Sequence, residues 1–85
     1  VTEPITETTI QTWLADRVVE YGKASAGSFT IDTRLPDLGI DSVYALTLCG
    51  DIEDHFDIDI DPTMLWDLPT IRELAGALAG KLQES

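Results

Sequence analysis

The chain has 85 residues, a length for one domain with a modest core. Its apolar fraction of 44% is too high for a disordered chain, and no apolar run reaches the length of a membrane span. Sixteen Asp and Glu against five Lys and Arg give a net charge of −11, which repels nucleic-acid phosphates and anionic lipid and attracts a basic protein surface.

The same charge also serves plain solubility. The one cysteine, Cys49, forms no internal disulfide and builds no thiolate metal site alone. No secretory h-region or basic leader is seen, so a cytoplasmic location is expected. The charge speaks against nucleic acid and membrane as partners, and the isolated domain is expected to be a monomer. The first residue is Val rather than Met, as in a piece cut from a longer chain or a processed one.

Val1 to Ile5 read as a loose end. A first helix is expected to start between Thr6 and Thr8. Ile10, Trp13, Leu14, Val18 and Tyr21 follow at the spacing of one buried face. Gly22 and the cluster Ser25-Ala26-Gly27-Ser28 end it. A long connection, about 23–40, comes next, and loops of that length are often functional. Phe29, Ile31, Leu35 and Leu38 are expected to pin it to the core, with Pro36 and Gly39 bending it.

The second helix is expected over about 41–56, with Asp41 as N-cap. At 100° per residue, Ala45, Leu48, Cys49, Ile52 and Phe56 share a buried side. Tyr44, Thr47, Asp51, Asp54 and His55 share a polar, mostly acidic solvent side. Asp57 to Asp61 alternates like a strand but is too short and isolated for a sheet, and reads as an extended connector with Ile60 tucked inward. Asp61-Pro62 predicts an N-cap and first helical position for a short helix through Met64, Leu65 and Trp66. Pro69 breaks the chain, and Thr70 to Glu73 fits a capping box. Ile71, Leu74, Ala75, Leu78 and Leu82 then repeat at helical spacing. The expected architecture is all-α: a four-helix bundle, three main helices plus a short third one, with a long loop between helices one and two. Residues 1–85 make a single domain with its core at about 6–82.

The chemistry gathers at Leu38-Gly39-Ile40-Asp41-Ser42-Val43. Gly39 permits a tight turn. Ser42 sits in the first turn of a helix, where free N–H groups and the dipole favour a phosphodiester. The bland alternative is that Asp41 and Ser42 only cap the helix.

The hexapeptide resembles the modification motif of acyl carrier proteins, in which Asp-Ser and Leu or Val follow a Leu-Gly turn. Glu53 to Ile60 is similar to that family's helix-two ending. Asp61-Pro62-Thr63, Leu65 to Ile71 and Leu74-Ala75 resemble the third and fourth helices of polyketide-synthase carrier domains. The similarity spans roughly 5–82. It implies that Ser42, held by Gly39 and Asp41, is joined to 4′-phosphopantetheine by a phosphopantetheinyl transferase using Mg²⁺ and coenzyme A. It implies further that the domain catalyses nothing itself. It presents acyl or polyketide thioesters to a ketosynthase, an acyltransferase or other synthase domains with basic docking surfaces. Partner contact falls on Asp41, Val43, Thr47, Asp51 and Asp54, with Gly50 as a flat spot. Thr47 departs from the glutamate many carriers have. Ile40 stands where peptide-carrying relatives usually have a second Gly, which favours an acyl or polyketide cargo over a peptidyl one.

The residues offer three rival readings. Asp57, Asp59 and Asp61 mimic the start of a calcium-binding loop, but Pro62 and Leu68 occupy the positions that need Gly and Glu. Ser42 and His55 suggest a hydrolase, but they lie thirteen residues apart on one helix, about 20 Å along its axis. The nucleophile-elbow glycines are replaced by Ile40 and Tyr44. His55 is expected at the surface and Cys49 in the core. An unmodified acidic docking domain would share the composition, but docking does not require Asp-Ser after a glycine turn.

Overall fold

The computed structural model describes residues 6–22, 25 and 27–84, with side chains to Leu82. Val1 to Ile5 and Ala26, read above as a loose end and part of a helix stop, lie outside that set.

Among the described residues four α-helices follow in order: α1 Glu7–Glu20, α2 Ser42–Phe56, α3 Met64–Asp67 and α4 Ile71–Glu84. The Thr6 side chain caps α1 by accepting from the Thr9 N–H at 3.2 Å. Gly22, at φ +76°, turns the chain out of α1 in the left-handed region that glycine tolerates. Ile10, Leu14 and Val18 are buried at helical spacing. They meet Ile71, Leu74, Ala75, Leu78 and Ala79 of α4 and Ala45, Leu48, Cys49 and Ile52 of α2 in one core. The backbones of α1 and α4 approach one another more extensively than those of any other pair of elements. Gly76 lies at that seam, where an added Cβ would come within 3.3 Å of Glu7 Oε1.

The long connection is more structured than its sequence suggests. Leu35–Leu38 forms a 3₁₀ turn with Pro36 near its start, and Leu35 is buried. Phe29, Ile31 and Leu38 pack half-buried against the core, as the apolar spacing predicts. Backbone pairing adds to this. The Leu35 N–H donates to the Pro69 carbonyl at 2.7 Å, and the Arg72 N–H donates to the Ile31 carbonyl at 3.0 Å. The Arg72 guanidinium also grips both Asp32 carboxylate oxygens, at 2.6 and 3.0 Å. The loop is therefore tied to the start of α4.

After α2 the chain turns at Asp57, whose φ of 56° is left-handed. The connector that follows has no regular structure and carries Ile60 into the core, its N–H donating to the Glu53 carboxylate at 3.2 Å. The Asp61 carboxylate accepts from the N–H and the hydroxyl of Thr63, both at 2.9 Å. Those bonds hold its carboxyl below the usual carboxylate range. The cap expected at Asp61-Pro62 therefore organises a turn, and regular helix begins two residues later, at Met64. At Thr70 the hydroxyl accepts the Glu73 N–H and donates to the Glu73 carboxylate, each at 3.2 Å. Half of the expected capping box forms, because the carboxylate meets the hydroxyl rather than the Thr70 N–H. No helix among the described residues is long and apolar enough to cross a membrane.

Candidate functional site

The site begins at the 3₁₀ turn. Gly39 ends it at φ 81°, ψ 16°, a left-handed conformation, with its N–H donating back to the Pro36 carbonyl at 3.1 Å. Ile40, only 3% exposed, anchors the next residue in the core. The chain is thus fixed on both sides of the turn before α2 starts.

Asp41 is the N-cap. Its Oδ1 accepts from the N–H of Val43 and of Tyr44, each at 3.1 Å, and its carbonyl accepts the first intrahelical bond from Ala45 at 2.8 Å. Ser42 is the first residue of α2 and is exposed. Its hydroxyl takes part in no hydrogen bond among the described residues. A substituent on Oγ would displace no packed atom and break no bond, so the residues present fit a covalently attached group. The helix start offers that group less than its sequence suggests, because Asp41 already occupies two of the amides.

Beyond Ser42, one exposed strip of α2 carries Val43, Leu46, Thr47, Gly50 and Asp54. Val43 is 68% and Leu46 58% exposed. Val43, Thr47 and Asp54 are expected there from the sequence; Leu46 is not. Its helical phase, three residues after Val43 and four before Gly50, carried the signal. Thr47 donates its hydroxyl back to the Val43 carbonyl at 3.1 Å. Trp66, on α3, is 51% exposed.

Three residues depart from the expected phase. Tyr44 was expected on the solvent side but is half-buried, its ring 5.8 Å from that of Tyr21. Asp51 was also placed there but is half-buried, accepting a hydrogen bond from the Tyr21 hydroxyl with Arg17 4.0 Å away. Phe56, expected in the core, is half-buried and packs edge-on against Trp13 at 5.1 Å and His55 at 4.7 Å. In each case a long side chain from α1 or its C-cap, Trp13 or Tyr21, lies over the seam with α2. Burial pushes the Tyr21 phenol above its ordinary value, and the bond to Asp51 and its charge add to this.

His55 is exposed and stacks on Trp13 at 4.7 Å, at the far end of a continuous α2 from Ser42. Cys49 is buried, and burial pushes its thiol up.

The family model described as "Phosphopantetheine attachment site" matches residues 12–78. The 6-methylsalicylic acid synthase of Aspergillus terreus is 31% identical over 77 residues, 85% of this chain and 4% of that synthase. The chain thus spans a very small part of the curated relatives it matches. Among solved structures, a free-standing peptidyl carrier protein from Acinetobacter baumannii is 31% identical. It superposes with a TM-score of 0.85, over 92% of this chain and 98% of that one. The acyl carrier protein LipD from Actinoplanes friuliensis is 39% identical with a TM-score of 0.75, over 94% of this chain and 89% of that one.

Proposed function

Because the chain belongs to the phosphopantetheine attachment-site family, a family of carrier domains bearing 4′-phosphopantetheine covalently on a serine, we propose that Ser42 is its attachment point. The observation that carries this is the unbonded, exposed hydroxyl at the first residue of α2, directly after the Gly39 turn. A phosphopantetheinyl transferase with Mg²⁺ transfers the arm from coenzyme A: Ser42 Oγ, losing its proton, bonds to the pantetheine-side phosphorus of the pyrophosphate, the P–O–P link breaks, and adenosine 3′,5′-bisphosphate leaves. When bound, the arm supplies a thiol whose thioesters react with nucleophiles and acidify the adjacent carbon. The chain's own residues hold and present. Gly39 and Ile40 fix the turn, Asp41 holds the helix start rigid, and α2 offers a surface to partners.

The domain itself is a substrate of partner enzymes and catalyses nothing. Its cargo is an acyl or polyketide chain, in keeping with the synthase relatives and with Ile40. The likeness to a peptidyl carrier protein favours an aminoacyl cargo as the second reading. Partners are synthase domains with basic docking surfaces, meeting the exposed strip of Val43, Leu46, Thr47 and Asp54.

The test is intact mass after incubation with coenzyme A and a broad-specificity transferase. Wild type should gain one phosphopantetheine, and Ser42→Ala should gain none while remaining folded. A mass gain that persists in Ser42→Ala would remove Ser42 from the role.

A further inference from the structure

Helix geometry leaves four backbone N–H groups unpaired at the start of a helix, and these attract anions. A phosphodiester on Ser42 would stand beside those of α2. Three of the four are already satisfied. The Asp41 N–H donates to the Gly39 carbonyl at 3.1 Å. The Val43 and Tyr44 N–H groups donate to Asp41 Oδ1 at 3.1 Å each. Only the Ser42 N–H is left. No Lys or Arg occurs between Leu35 and Phe56 to offer a substitute. The Asp41 charge, one residue away, opposes a second anion at the same place.

We propose that Asp41 keeps the phosphate of the arm off the start of α2 by holding the Val43 and Tyr44 amides, so that the arm leaves Ser42 as a free tether. The inference rests on Ser42 being the attachment point. A phosphate bound along the helix axis would fix the first atoms of the arm, and each partner would have to break that contact. With the amides occupied, a partner's own cations can take the phosphate without competition. Asp41 is in this sense a positioning residue, acting on the arm through the two amides.

The test uses the ¹⁵N-labelled 85-residue chain before and after loading by transferase and coenzyme A, with intact mass recording the loading. In wild type, the amide-proton resonances of Val43 and Tyr44 should keep their positions on loading. The ³¹P line of the attached phosphodiester should stay nearly as narrow as that of the same loaded chain unfolded in urea. In Asp41→Ala the two amides are released, so loading should shift both protons downfield and broaden the ³¹P line. Asp41→Asn keeps an acceptor oxygen and should follow wild type. Downfield shifts in loaded wild type or loaded Asp41→Asn, or none in loaded Asp41→Ala, would overturn the inference and leave the attachment point standing. If the Asp41 variants resist loading, the wild-type comparison decides alone. Absence of any mass gain in wild type would overturn the attachment reading and this inference together.

Discussion

The Tyr21 hydroxyl donates to the Asp51 carboxylate, tying the end of α1 to the middle of α2. Arg17 lies 4.0 Å from the same carboxylate, and its guanidinium sits 5.8 Å from the Trp13 ring. The seam between α1 and α2 is thus bridged by long polar and aromatic side chains, in contrast to the close backbone approach of α1 and α4.

Removing the hydroxyl isolates that tie. Tyr21→Phe keeps the ring beside Tyr44 and loses one hydrogen bond to a charged acceptor. Such bonds contribute about 1.5–3 kcal/mol, and partial exposure of the pair puts the expected loss near the lower end. The pH dependence has a definite sign. The folded phenol lies above its ordinary value, so the folded state holds this proton more tightly than the unfolded chain. The stabilisation is complete below about pH 10, the unfolded value, and is lost as the pH rises through and beyond it. Urea unfolding at pH 8 and pH 11 should show the gap between wild type and Tyr21→Phe closing at the higher pH. A constant gap would argue against the tie.

The same tie decides how the acidic face is probed. Asp54 is exposed, so Asp54→Lys should change stability by no more than about 0.5 kcal/mol. It should slow transfer to a basic partner, and the wild-type rate should fall with added salt. Asp51→Lys loses the Tyr21 bond and places a second cation beside Arg17, so it should destabilise the fold as well. Asp16→Lys, on the exposed side of α1, makes the same charge change and serves as control. Transfer rates for Asp54→Lys and Asp16→Lys at low and high salt are the measurement. Equal slowing in both would mean that bulk charge, not α2, guides the partner.

Phe56 and Leu48 rank the two environments of α2. Leu48 is fully buried, and truncating such a side chain to Ala costs about 2–5 kcal/mol. Phe56 rests half-exposed between Trp13 and His55, so Phe56→Ala should fall below the roughly 3–5 kcal/mol typical of a core Phe. Denaturant midpoints should place Leu48→Ala as the more damaging change. The reverse order would show that the aromatic cluster contributes more to the fold than the apolar stripe.

Most of this arrangement was legible because it is local. The start of α1 near Thr6, the caps at Asp41 and Thr70 and the buried spacing of Ile10, Leu14 and Val18 follow from neighbours within four residues. So do Gly39, Asp41 and Ser42, which lie within four residues of one another. What the sequence hid is non-local. Tyr44 and Asp51 sit on the polar side of a helical projection, which does not include the Tyr21 ring arriving from α1. The backbone bonds from Leu35 to Pro69 and from Arg72 to Ile31 join segments more than thirty residues apart. They carry no side-chain signature, so the loop read as pinned by apolar residues alone.

Gly50 offers the clearest separation of fold from function. It lies in the interior of α2, exposed, with nothing within 4 Å of where a Cβ would be. Glycine there is less favourable than alanine by about 0.8–1.0 kcal/mol, partly because it leaves the unfolded chain more freedom. Gly50→Ala should therefore stabilise the free domain, raising the melting temperature by about 4–8 °C per kcal/mol gained. The new methyl would stand on the exposed strip, four residues after Leu46 and four before Asp54. If a partner surface approaches the backbone at this point, the methyl holds it away. Transferase loading should then show a raised KM with little change in kcat, even though the domain is more stable. A rise in melting temperature with unchanged loading kinetics would place the contact elsewhere on α2. A fall in melting temperature would contradict the open space around Gly50 itself.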